Sequence, residues 1–100
     1  MNALPLAAAL LALSNLPGHA ADPAHGLDLA KRWCAACHIV SAGQSEANAD
    51  APPFATIARS HFNAQTLAYF LLDPHPKMPD LPLSRYAADD IAAYIESLRK

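Results

Sequence analysis

The chain has 100 residues, of which 53 % are apolar but only 7 % aromatic, and many of the apolar ones are alanine, so the side chains available to fill a core are few and small. Two cysteines exclude a multi-disulfide scaffold, and a formal charge of −2 with a pI near 6.1 gives no broad basic surface for nucleic acid or an anionic membrane. A domain of this size therefore needs a cofactor, a metal or a partner to help hold its fold.

From Ala3 to Leu13 the chain is apolar, and it then runs through Ser14-Asn15-Leu16-Pro17 to Gly18-His19-Ala20. Small residues occupy the two positions that a signal peptidase reads, so residues 1–20 are expected to be a signal peptide cut after Ala20, with residues 21–100 as the exported, periplasmic domain. The apolar run is only about half of what a spanning helix needs, and it contains Pro5, so no membrane span is expected. No Lys or Arg precedes Lys31, which leaves the terminal amine, or residues upstream of Met1, to supply the positive charge of a signal peptide. A buried amino-terminal helix and an uncleaved anchor are the alternatives.

Asp22-Pro23 opens the first helix, with the carboxylate as N-cap and proline at the first helical position. Gly26, Ala30 and Trp33 trace one face, with Leu29 beside it, down to Cys34 and Cys37. His25, in the first turn, is expected in solvent. Residues 39–53 are rich in Ala, Ser, Gly and Asn and read as a surface loop. A second helix starts at Asn63, carries Leu67, Phe70 and Leu71 at i, i+3 and i+4, and stops near Asp73 because Pro74 follows. Across residues 73–82 four prolines remove backbone donors and favour a stiff, polyproline-like strap, able to hold one side chain at a fixed distance from a flat ligand. A third helix begins after Ser84, with Ile91, Tyr94, Ile95 and Leu98 on one stripe. Asp89 and Asp90 near its start, and Arg99 and Lys100 at its end, suit the helix dipole. Strand signals are scarce, so the chain is predicted to be all-α.

Cys34-Ala35-Ala36-Cys37-His38 is a CxxCH sequence, the attachment signature of haem c. Two thiols separated by two residues at a helix end can each add to one vinyl group of a porphyrin, and the next residue then lies beneath the iron, where His38 offers Nε2 as proximal ligand. Both cysteines of the chain lie in this motif. A thioredoxin-like dithiol would need a βαβ context, and a structural zinc would need a fourth ligand from His25, His61 or His75. For the sixth iron position, Met78 is the candidate, since it is the one methionine besides Met1 and sits in the proline strap; His75 is the nearby alternative.

These features resemble the class I cytochromes c, specifically the small soluble bacterial ones, over nearly all of the mature chain. Gly26 stands where the family has a small residue that lets the first and last helices cross closely, with Ile91, Tyr94 and Ile95 as its partners. Pro52-Pro53-Phe54 resembles the family's proline loop, in which a proline carbonyl accepts a hydrogen bond from the proximal imidazole; the resemblance gives that role to Pro52, with Pro53 as the neighbouring choice. Lys77-Met78-Pro79 resembles the methionine loop that places sulfur on the distal side of iron. The departures are Ala30, where the family often has an aromatic, and the lack, directly after His38, of the family's usual glycines.

The resemblance implies a small cytochrome c fold, three main helices and loops wrapped around one covalently bound haem. With both axial positions filled by His38 and Met78, no substrate reaches iron, which implies a one-electron carrier and not an enzyme. The expected partners are redox proteins met transiently by a monomer, through an apolar centre of Ala35, Ala36 and the strap around Met78, with Lys77, Lys31 and Arg32 at the rim. The other functional readings are a dedicated haem subunit of an oxidoreductase complex and a ligand-binding or peroxidatic haem protein.

Overall fold

The computed structural model describes residues 20–48, 50–60, 62–73 and 83–99. Its helices are α1 (Pro23–Trp33), α2 (Phe54–Ala58), α3 (Ala64–Leu72) and α4 (Arg85–Ser97), and among the described residues there is no strand. The chain is all-α, as its sequence predicts.

Three of the helices begin on side-chain caps. Asp22 accepts from the amides of Ala24 and His25, Asn63 from that of Thr66, and Ser84 from that of Ala87, each filling donors that a first helical turn leaves unpaired. Lys31 and Arg32 occupy the last turn of α1, where a positive charge meets the negative end of the dipole. α3 ends where Asp73 turns extended ahead of Pro74. The short α2 has no such signature. Pro53 precedes it without a side-chain cap, and its five residues leave little room for an apolar period, so the sequence pattern does not reveal it.

Each of the other described helices packs on α4. Its buried stripe includes Ala88, Ile91, Ala92, Tyr94 and Ile95, and Ile91 and Val40 are the largest side chains with almost no exposure among the described residues. Alanine supplies much of the remainder. Two residues of the predicted apolar stripes lie instead at the surface: Trp33 is 44 % exposed, and Phe70 is 45 % exposed beside Phe62, with ring centroids 6.1 Å apart.

The crossing of α1 and α4 is set by Gly26. A β-carbon there would lie 1.9 Å from the Asp90 carbonyl oxygen and 2.5 Å from its carbonyl carbon. The backbones meet directly, so the contact is with Asp90 and the Ile91 amide more than with the side chains of Ile91 and Tyr94. Asp90, read from the sequence as a charge that suits the helix dipole, is 4 % exposed. Its Oδ1 accepts from the Asp22 amide at 2.8 Å and its Oδ2 from His25 Nδ1 at 2.7 Å. His25 is therefore tied to α4 while about half of its side chain remains in water. At the other end of α4, Arg99 departs from its predicted part as a dipole charge: Nε donates to the Ala58 carbonyl at 2.8 Å and Nη2 to that of Phe62 at 2.7 Å. These bonds fasten the segment between α2 and α3.

Candidate functional site

The CxxCH motif begins where α1 stops. Cys34 still donates its amide to the Ala30 carbonyl at 2.8 Å, but its own carbonyl then collects the amides of both Cys37 (3.1 Å) and His38 (2.9 Å). The chain thus closes into a tight turn directly on the helix end. Both thiols are free; Cys34 is buried and Cys37 half-buried. Burial, followed by the neighbouring Cys37, pushes the Cys34 thiol up to about 11, so it is protonated at neutral pH.

His38 is held on two sides. Its Nδ1 lies 2.6 Å from the Pro52 carbonyl oxygen. A carbonyl only accepts, so Nδ1 is the protonated nitrogen, and in the neutral ring Nε2 is then the nitrogen that can ligate a metal. The ring also packs against Phe54, with centroids 5.2 Å apart, and Phe54 in turn lies 6.4 Å from the ring of Tyr94. Tyr94 donates its hydroxyl to the Val40 carbonyl at 2.5 Å. A continuous line of contacts therefore runs from α4 through Tyr94 and Phe54 to His38. Phe54 owes its position to α2, the helix that the sequence pattern conceals.

The loop after His38 contains a further residue that sequence reasoning missed. Gln44 accepts from the Val40 amide through Oε1 at 3.0 Å, and its Nε2 lies 2.8 Å from the Ala35 carbonyl, 2.8 Å from that of His38 and 2.9 Å from that of Glu46. Its one sequence signal is a long amide among small residues. Met78, His75, Lys77 and His61 lie outside the described residues.

Among the described residues no three His, Cys, Asp or Glu side chains converge on a metal position, and His25 is bound to Asp90 and not turned toward the cysteines. No described helix is long and apolar enough to cross a membrane.

Over 90 residues, 89 % of this chain and 86 % of the relative, the sequence is 61 % identical to cytochrome c-552 of Bradyrhizobium diazoefficiens. The chain belongs to the small class I cytochromes c. No family profile and no solved structure matches it. Family membership makes it a c-type cytochrome, an electron carrier that uses haem c. The donor set fits that group: two unpaired thiols within one turn, and an imidazole whose Nδ1 is already engaged. The small core fits it too, since a cytochrome c fold has a prosthetic group to fill part of its interior.

Proposed function

We propose that this chain is a periplasmic one-electron carrier holding a single haem c through Cys34 and Cys37, with His38 Nε2 and Met78 sulfur as axial ligands. The observation that carries the reading is the His38–Pro52 hydrogen bond, which commits Nδ1 and leaves Nε2 as the ring's metal-binding atom beside two free thiols. When bound, haem supplies a couple between Fe(II) and Fe(III).

Each residue then has a physical task. Cys34 and Cys37 fix the group covalently. Pro52 orients the imidazole and makes Nε2 more electron-rich by taking a hydrogen bond from the opposite nitrogen. Phe54 limits rotation of the ring. Met78 offers a soft, neutral sulfur that favours the reduced state. If His38 and Met78 together filled the ligand positions of the haem iron, the reaction left to the protein would be electron exchange, which supports a carrier over an enzyme.

The contact surface for redox partners is proposed around Ala35, Ala36 and the strap, with Lys31, Arg32 and Lys77 at its edge. Lys31, Arg32 and Ala36 are exposed and Ala35 is half-buried. An interface of this kind is small, so that the partner leaves after each transfer. Carbon monoxide tests the reading: the reduced native protein should bind none while it is oxidised rapidly by a small redox protein. Ready binding of carbon monoxide would contradict the carrier and favour a ligand-binding haem protein.

A further inference from the structure

We propose that Gln44 is a positioning residue, whose side-chain amide fixes the turn bearing His38 and thereby the bond between the imidazole and Pro52. The inference rests on the reading of His38 as the proximal ligand and adds to it a residue outside the set proposed to hold the haem.

Among the described residues of the loop from Ile39 to Pro53 there is no helix or strand, so few of their backbone groups are paired by repetitive structure. Its backbone bonds include Gln44 N–H to Ser41, Asn48 N–H to Ala36 and Phe54 N–H to Ile39. The Gln44 side chain supplies what is missing. One amide accepts from Val40, two residues after His38, and donates to carbonyls on both sides of the motif's second half, those of Ala35 and His38, and to Glu46 further along the loop. An amide has two N–H bonds, so three acceptors share two hydrogens, and both ends of the group are used.

His38 is consequently fixed at two points: its main-chain carbonyl by Gln44 and its ring nitrogen by Pro52. Pro52 closes the loop whose opening Gln44 ties down. Slack at Val40 and His38 would therefore be felt as a longer Nδ1–H to Pro52 bond. No other common side chain reproduces the pattern. Leucine would leave the Val40 amide and the Ala35 and His38 carbonyls without this partner, and glutamate would keep an acceptor for Val40 but turn an oxygen toward the carbonyls.

The test uses the full chain matured with haem, as wild type, Gln44→Leu and Gln44→Glu. In the wild type, NMR should show the Gln44 side-chain N–H protons exchanging slowly with solvent; free exchange would overturn the proposal without any variant. Amide exchange at Val40 should accelerate by up to about tenfold in Gln44→Leu, the worth of one net hydrogen bond, and stay near wild type in Gln44→Glu. Both variants should show a raised reduction potential and altered paramagnetic shifts of the His38 ring, because a weaker Pro52 bond makes the imidazole a poorer donor to the oxidised state. Haem-loaded variants with a lower melting temperature but unchanged potential and ring shifts would overturn the inference, reducing Gln44 to a stabiliser of the loop. Absence of covalent haem in the wild type would instead overturn the reading of His38, an outcome that mass measurement distinguishes.

Discussion

The Asp90 carbonyl oxygen occupies the place that a β-carbon on Gly26 would need, 1.9 Å from its ideal position. The obstacle is backbone, which cannot rotate away as the end of a side chain can. Gly26→Ala should therefore destabilise the protein even though alanine is about 1 kcal/mol better than glycine inside a helix. Overpacking of this kind costs on the order of 1–3 kcal/mol, and Gly26→Val should cost more than Gly26→Ala. Thermal melts of the haem-loaded proteins check the order; an unchanged or higher melting temperature for Gly26→Ala would mean that the helices separate without penalty.

The carboxylate of Asp90 sits at the same crossing and answers two donors from the start of α1, the Asp22 amide and the His25 ring. Asp90→Ala leaves both without that acceptor and should cost about 1–3 kcal/mol in urea unfolding. Asp90→Asn retains one carbonyl acceptor and should cost less. Equal losses for the two substitutions would show that one retained acceptor contributes nothing and that the position requires the whole carboxylate.

Burial raises the Tyr94 phenol above its ordinary value of 10.0. The folded state thus holds the phenolic proton more tightly than the unfolded chain does, and this contribution to stability is complete below pH 10 and is lost as the pH rises through the higher folded value. Tyr94→Phe should remove that alkaline loss and, by breaking the bond to Val40, lower stability at neutral pH by about 1 kcal/mol. Unfolding followed at neutral pH and above pH 10 compares the two proteins.

The distal ligand is tested in the strap. Met78→Ala should open the iron to carbon monoxide and lower the reduction potential, while His75→Ala should change neither. Axial-ligand identity shifts haem potentials within a span of about 0.8 V, so the contrast is large against the error of voltammetry. The reverse pattern would make His75 the ligand.

The helices that open on caps were legible because their signals are local: Asp22-Pro23, Asn63 and Ser84 each announce a start within a few residues. The CxxCH turn was legible for the same reason. The proline loop came from family likeness, and the carbonyl of Pro52 does meet His38 Nδ1. What stayed hidden depends on distant partners. His25 and Asp90 are 65 residues apart, and a lone histidine or aspartate near a helix start carries no sign of such a match. α2 has no capping side chain, and its first residue, Phe54, meets His38 and Tyr94, which lie far from it in sequence. Trp33 fits the apolar period of α1, yet 44 % of it is exposed, because period tells which residues share a face and not how far along the helix the covering surface extends.

The central claim is that this chain holds one haem through Cys34 and Cys37. Mass spectrometry of the protein matured in a periplasm tests it most directly. The mass should equal that of the chain from Ala21 plus one haem, the haem should resist acid–acetone extraction, and Cys34→Ala/Cys37→Ala should abolish the addition. Extractable haem, or a mature chain without haem, would contradict the account.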